Sequence, residues 1–103
     1  MTLLVFTTCP TRSIAQKLAQ QIISKKLAAC AQISSAIESH YVWKGRRTKT
    51  KEFSVCFKTT VKNGKQLEKA ILEIHPYEVP EIISLKAHSV LPAYLRWIAS
   101  SVA

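Results

Sequence analysis

A stiff segment in the last third of the chain carries three side chains that can do chemistry. His75, Tyr77 and Glu78 supply an imidazole, a phenol and a carboxylate within four residues. Pro76 and Pro80 fix their own φ angles and bias the residue before each of them toward extended backbone. A flexible spacer would instead be rich in Gly and Ser. A stiff loop with such side chains is often a binding site, but a Pro-capped turn with a buried tyrosine explains it equally well.

Three cysteines are the other candidate ligands or nucleophiles. Cys9, Cys30 and Cys56 are widely spaced, and no CxxC pair occurs. This pattern indicates reduced thiols and gives neither a disulfide framework nor a zinc knuckle, so we expect a cytoplasmic protein. The apolar runs are too short to span a bilayer, and the segment from Met1 to Phe6 lacks the parts of a signal peptide. We therefore expect no membrane partner.

The charge of the chain is strongly positive. Fifteen Lys and Arg residues face six acidic residues, all of them Glu, which gives a formal net charge of +9. Part of this excess is local, in a run of five basic residues without an acid among them: Lys44, Arg46, Arg47, Lys49 and Lys51. A solvated hairpin tip is the simplest interpretation of the run, and salt-sensitive attraction to nucleic acid is the alternative.

Helical spacing of apolar residues predicts three helices that would position these groups. Ile14, Leu18 and Ile22 form one stripe after a helix entry near Pro10. The second helix covers residues 63–74. The third opens at Leu91-Pro92, and we expect its buried stripe to consist of Leu91, Leu95, Ile98 and Val102.

The remaining apolar segments are typical of strands. Thr2–Thr8 and Ala29–Trp43 are rich in β-branched and aromatic residues, and the second segment is expected to bend near Ser34. In residues 51–58 Phe53, Val55 and Phe57 point one way, while Glu52, Ser54, Cys56 and Lys58 point the other. A turn at residues 44–46 joins the two long strands into a hairpin, and residues 81–87 form the last main strand.

The predicted order of elements is β-α-β-β-α-β-α. Two split βαβ units with helices on one face of an antiparallel sheet make the α+β ferredoxin-like sandwich, here with an additional C-terminal helix. We expect a single domain covering residues 1–103. This fold hosts many unrelated functions, so the function has to be inferred from particular residues.

Several segments match the recurring motifs of one family, in order along nearly the whole chain. They are Lys26-Leu27-Ala28-Ala29-Cys30-Ala31, Tyr41-Val42-Trp43-Lys44-Gly45, Glu52 followed by Lys58-Thr59, His75-Pro76-Tyr77-Glu78-Val79-Pro80-Glu81-Ile82, and Tyr94-Leu95-Arg96-Trp97. With these motifs the chain resembles the CutA divalent-cation tolerance proteins. The resemblance implies a tight homotrimer whose long hairpins pair across subunits, as in PII-like signalling proteins. It also implies a role in tolerance to copper and other divalent metal ions, with no established catalytic activity.

The chain departs from the family pattern at the hairpin, which is usually acidic. Arg47 occupies a position that is usually aliphatic, and Thr48 and Thr50 stand where carboxylates are common. Fewer carboxylates weaken any hard-cation site there. Thr7 stands where some members have a cysteine, and Cys9 is displaced from that position by two residues.

The resemblance further implies clefts between subunits that bind a metal ion or a small effector. We expect these clefts to be lined by Trp43, Glu52, Lys58, Tyr77 and Glu78, with Glu81 as a further acceptor. Lys58 could neutralise Glu52 or attract an anion, and interface ion pairs would explain the same charges as well. For copper, Cys30 and His75 are the thiol and imidazole consistent with the family, and a neighbouring subunit would have to supply further ligands.

The trimer itself is expected to bury the long hairpin strands, which a lone sheet would leave as edges. Tyr41, Trp43 and Val55 are the residues that we expect at this interface.

Two other function classes fit the sequence less well. RNA-recognition motifs share this order of elements, but residues 52–58 lack the glycine and the stacking rings of their third strand. A nucleic-acid-binding hairpin therefore stays the alternative hypothesis. An acyl-phosphate hydrolase would need an anion cradle after the first strand, and residues 8–12 offer one Arg without such a loop. We expect no enzymatic activity.

Overall fold

One antiparallel sheet and three helices make up the fold of the computed structural model, which describes residues 1–103. The strands are β1 (Thr2–Cys9), β2 (Cys30–Trp43), β3 (Arg46–Thr60) and β4 (Ile83–Lys86), and the sheet order is β2-β3-β1-β4. The helices are α1 (Arg12–Ser24), α2 (Gly64–Ile74) and α3 (Pro92–Ser101), with a 3₁₀ turn at Val61–Asn63 before α2. The predicted α+β order of elements is confirmed. None of the helices is long and apolar enough to cross a membrane.

The hydrophobic core lies between α1, α2 and one face of the sheet. Val5 and Phe57 from the sheet pack with Leu18 of α1 and with Leu67 and Ile71 of α2, and all five are essentially inaccessible to solvent. Burying each of these side chains stabilises the fold by about 1.5–3 kcal/mol. The core therefore belongs to the single chain and joins β1 and β3 to the two helices.

The prediction that Val55 lies at a subunit interface is wrong. Val55 is 0% exposed and packs inside the core of its own chain, so it cannot contact another copy. The pleat of β3 is the reason, because Val55 shares the covered face with Phe53 and Phe57. The expectation that both hairpin strands are edges also fails for β3, which pairs with β1 on its other side. The edges of the sheet are β2 and β4.

The opposite side of the sheet, here called the open face, is not covered by α1 or α2. The residues that strand pairing places on it include Leu4, Phe6, Cys30, Cys56, Lys58, Ile83 and Leu85. Ile83 and Leu85 are 50% and 53% exposed although β4 is paired to β1. The open face thus combines apolar side chains with two thiols.

The hairpin of β2 and β3 extends well beyond the core. Its strands have 14 and 15 residues, and the whole chain measures 45 × 26 × 23 Å. The register shifts between Ile33 and Ala36, which confirms the bend predicted near Ser34. Lys44 and Gly45 form a two-residue turn with φ of 51° and 77°, the left-handed pair that a tight hairpin of this twist requires.

The ends of α1 are defined by local hydrogen bonds. The side chain of Thr11 accepts from the amide of Ile14 at 3.1 Å and caps the N-terminus, so Pro10 precedes the cap. At the other end Lys26 has φ of 57°, and the amide of Leu27 donates to the carbonyl of Ile22. This is a Schellman termination with a lysine at the left-handed position where Gly is usual.

Helix α3 is less buried than its sequence predicts. Ile98 is buried, but Leu91 and Leu95 of the expected stripe are 71% and 38% exposed. The helix contacts β3 through Tyr94, whose ring lies 5.6 Å from the Lys58 ammonium. The helix is docked at one end of the sheet and leaves apolar surface uncovered.

Candidate functional site in a cleft beside the hairpin

The loop after α2 is fastened to the end of β1 by His75. The imidazole Nε2 donates to the carbonyl oxygen of Thr8 at 2.7 Å, and Nδ1 accepts from the amide of Tyr77 at 3.1 Å. An acceptor at Nδ1 places the proton on Nε2. Both ring nitrogens are thus used by backbone groups, and the ring of His75 also lies 4.8 Å from the ring of Tyr77. His75 positions the segment that the two prolines stiffen.

Tyr77 is directed by this loop toward Glu52 on β3. The phenol donates to Oε2 of Glu52 at 2.9 Å. Burial raises the pKa of Tyr77 well above its usual range, and the hydrogen bond and negative charge of Glu52 act in the same direction. Glu52 itself is 7% exposed. The arrangement places an anionic oxygen and a phenol together below the surface.

These groups line a cleft of about 690 Å³. Four of the predicted cleft residues border it, namely Trp43, Glu52, Tyr77 and Glu78, and Glu81 is a third carboxylate there. Thr8, His40 and Tyr41 also line the cleft and were not expected in it. The sequence contained a signal for Tyr41, because period-two alternation places it on the same face as Trp43.

Lys58 is the predicted cleft residue that lies elsewhere. It is six residues from Glu52 on the same strand, which corresponds to roughly 20 Å. Its ammonium group lies over the ring of Tyr94 instead. Within one chain Lys58 therefore cannot neutralise Glu52.

The proposed copper ligands Cys30 and His75 are not brought together in one chain. Cys30 is paired with Lys58, while His75 bonds to Thr8, which is paired with Ser54 four residues away on β3. No group of three or more His, Cys, Asp or Glu side chains is arranged to hold a metal ion. A joint site of Cys30 and His75 stays a prediction that would need two chains and the loss of a His75 hydrogen bond.

Cys9 does not behave as a reactive thiol. Its side chain is 0% exposed, and burial together with the charge of Glu52 raises its pKa to about 11. A thiol that stays protonated at neutral pH is a poor nucleophile. The position of Cys9 at the start of a helix therefore does not activate it.

Comparison with known proteins identifies relatives along nearly the full length. A family model described as CutA1 divalent ion tolerance protein matches residues 3–101. The divalent-cation tolerance protein CutA of Thermotoga maritima is 37% identical over 100 residues, which cover 97% of this chain and 98% of that protein. The mouse protein CutA is 36% identical over 93 residues, and this chain spans 52% of its length.

Solved structures of similar proteins have the same fold. CutA1 from the psychrotrophic bacterium Shewanella sp. SIB1 is 37% identical with a TM-score of 0.94, over 98% of this chain and 94% of that one. The divalent cation tolerance protein of Thermus thermophilus is 30% identical with a TM-score of 0.96, over 100% of both chains. An Archaeoglobus fulgidus protein, 28% identical over 100% of both chains with a TM-score of 0.96, is described as a periplasmic divalent cation tolerance protein.

Proposed function

Because the chain belongs to the CutA1 divalent ion tolerance family, we propose that it is a non-catalytic homotrimer that acts in tolerance to divalent metal ions. In this proposal the cleft beside the hairpin binds a metal ion, copper or another divalent cation, or a small effector. We place the protein in the cytoplasm because its three cysteines are free thiols. Cell fractionation tests this placement, and recovery in the periplasm, the compartment named for the relative from Archaeoglobus fulgidus, would contradict it.

The buried carboxylate of Glu52 is the observation that carries the proposed site. Its one hydrogen-bond partner is the neutral hydroxyl of Tyr77. No Lys, Arg or His nitrogen lies within 4.0 Å of it, since both ion pairs of the chain involve Glu38. Buried charges are normally paired or bound to a metal ion, because an isolated one is costly to desolvate. A cation in the cleft would supply the missing charge, and a basic side chain from a second copy would be the other means.

The ligands present in one chain favour completion of the site by a second copy. Glu52, Glu78 and Glu81 offer carboxylate oxygens, but they do not form a group that could hold a metal ion within one chain. Divalent cations take six or more oxygen ligands, or four ligands in a zinc site. The single chain therefore presents part of a coordination shell, which favours an inter-subunit cleft.

Assembly is supported by unpaired strand edges and apolar side chains that a monomer would leave exposed to solvent. The outer edges of β2 and β4 are unpaired, and an exposed edge as long as the 14-residue β2 invites pairing with another chain. Trp43 and Trp97 are 43% and 45% exposed, and β4 adds Ile83 and Leu85. Large apolar side chains that stay this exposed in one chain are available for an interface. Three copies related by a threefold axis would cover these edges without leaving a new one.

Zinc titration of the reduced protein tests the site. Zn²⁺ is not reduced by thiols and binds carboxylates. We expect Glu52→Gln to weaken its binding at least tenfold, or about 1.4 kcal/mol. Glu73→Gln, which changes an exposed residue of α2, is the matched control and should leave the affinity unchanged. Equal affinity in the wild type and both variants would remove the cleft from the proposal, while light scattering decides the trimer separately.

The nucleic-acid alternative is not favoured by the open face. In RNA-recognition motifs aromatic rings on the exposed side of the sheet stack on bases. Here β3 presents Ser54, Cys56 and Lys58 on that side, because Phe53 and Phe57 point into the core. Any binding through the basic tip should weaken steeply with salt. Sequence-dependent RNA binding that persists at physiological salt would reverse this ranking.

A further inference from the structure

Two of the three thiols are neighbours on the open face. Cys30 stands opposite Lys58 and Cys56 opposite Gln32, in an uninterrupted stretch of the β2–β3 ladder. Residues two apart on a strand share a face, so the two side chains are diagonal neighbours on one side of the sheet. Both cysteines are free and half-buried. The sequence placed Cys30 with His75, whereas the register places it with Cys56.

The spacing of this pair suits coordination of one shared metal ion better than a disulfide. Diagonal neighbours in an antiparallel ladder have Cα atoms about 7–8 Å apart, with their Cβ atoms somewhat closer. A disulfide needs Cα atoms closer than about 7 Å. Two sulfurs bonded to one ion at about 2.3 Å each are separated by up to about 4.6 Å, which the same backbone allows.

The electrostatic surroundings favour an anionic complex. Lys58 is two residues from Cys56 and directly opposite Cys30, on the same face. Two thiolates side by side repel each other, and a cation between them removes that repulsion. The ammonium of Lys58 would then offset the remaining negative charge.

We propose that Cys30 and Cys56 together bind one soft monovalent metal ion, of which Cu(I) is the best match, on the open face of the sheet. Thiolates select Cu(I) over hard cations. Binding forms two metal–sulfur bonds and releases two protons to solvent, so the complex carries one negative charge, and no electron is transferred. Phe6, paired directly with Cys56, and Leu4 shield the ion on one side. The inference rests on the proposed role in metal tolerance, but not on the Glu52 cleft.

Anaerobic Cu(I) titration of the reduced protein against a competing Cu(I) chelator tests the pair. We expect one Cu(I) per chain, and at least tenfold weaker binding in Cys30→Ser and in Cys56→Ser. Cys9→Ala is the matched control, since it also removes one thiol but from the covered face, and should bind as the wild type does. If Cys56→Ser bound Cu(I) as tightly as the wild type does, the proposal would be overturned, even if Cys30→Ser bound it more weakly.

Thiol alkylation of the unaltered protein provides a readout that does not depend on variants. Bound Cu(I) should protect Cys30 and Cys56 together from iodoacetamide, as read by peptide mass spectrometry. Protection of neither thiol, or of Cys30 alone, would contradict the shared site.

Two cross-comparisons separate this site from the cleft. Glu52→Gln should leave Cu(I) binding unchanged, and Cys56→Ser should leave the Glu52-dependent part of Zn²⁺ binding unchanged. Loss of Cu(I) binding in Glu52→Gln would show that the thiols do not form an independent site. Lys58→Met should weaken Cu(I) binding without removing it, because it takes away charge and no ligand.

Discussion

The phenol of Tyr77 donates to Oε2 of Glu52 across 2.9 Å, and thereby joins the loop after α2 to the middle of β3. Tyr77→Phe leaves the carboxylate buried with no donor in the chain. An unsatisfied buried group of this kind costs about 1–3 kcal/mol, so we expect the free energy of unfolding to fall by that amount. Urea denaturation at pH 7 measures it. Tyr94→Phe is the matched control, because the Tyr94 hydroxyl makes no hydrogen bond within the chain. Equal losses in both variants would contradict the role assigned to the bond.

Stability should decline in mildly alkaline solution because of Cys9. Its pKa is about 11 in the folded chain, whereas an unfolded cysteine ionises near about 8.5. Between these values the unfolded chain loses the proton and the folded chain keeps it, so stability present below pH 8.5 is lost as the pH rises. The raised pKa of Tyr77 acts in the same direction at higher pH.

The size of the alkaline effect is at most about 1.4 kcal/mol per pH unit for one group. Urea denaturation at pH 8, 9 and 10 should show a flatter decline for Cys9→Ala than for the wild type. If the free energy of unfolding declined equally in the wild type and in Cys9→Ala, Cys9 would have the same pKa in the folded and the unfolded chain.

The lysine at the end of α1 offers a stabilising substitution. Lys26 has φ of 57°, a conformation that costs a residue with a Cβ about 1 kcal/mol relative to glycine. We expect Lys26→Gly to raise the free energy of unfolding by about 0.5–1 kcal/mol. Lys25→Gly is the control, since Lys25 has φ of −81° and gains nothing from glycine. In thermal unfolding, the melting temperature should rise in Lys26→Gly and fall in Lys25→Gly, relative to the wild type.

The trimer proposed above should depend on Trp43 more than on the adjacent charges. The exposed ring of Trp43 offers apolar surface that assembly can bury, whereas Arg47 is a charged and exposed side chain that stays hydrated. We expect Trp43→Ala to raise the concentration at which the trimer dissociates at least tenfold, or about 1.4 kcal/mol. Arg47→Ala should shift it much less. A wild-type protein that is monomeric at micromolar concentration in light scattering would defeat the assembly and the shared cleft with it.

Much of the fold could be predicted because local pattern and tertiary structure agree. The alternation around Phe53 and Phe57 gave the covered face of β3, and the helical stripe of Leu67 and Ile71 gave that of α2. The final helix was less predictable, because the apolar residues Leu91 and Leu95 stay 71% and 38% exposed within one chain. A periodic stripe indicates that a surface is buried, but not which chain covers it.

The sequence allowed most residues of the candidate site to be named, but it did not show which of them contact each other. The segment around Tyr77 and Glu78 could be recognised from its prolines, yet pairing Tyr77 with Glu52 requires the position of a loop relative to a strand. Cys56 beside Cys30 depends on the register of the hairpin. Register is fixed by the turn and by the bend after Ile33, and neither is visible as a spacing between cysteines.

The position of β1 in the middle of the sheet affects how the chain emerges from the ribosome. Thr2 pairs with Thr60 and Cys9 with Phe53, so β1 has no partner until roughly fifty further residues have been synthesised. At about 5–20 residues per second, β1 waits for several seconds with its core residues Leu3 and Val5 unshielded. Helix α1 is the one neighbour that can form during that time. Chaperone capture of nascent chains should therefore be strongest before the hairpin has been translated, and should cease once β3 is available.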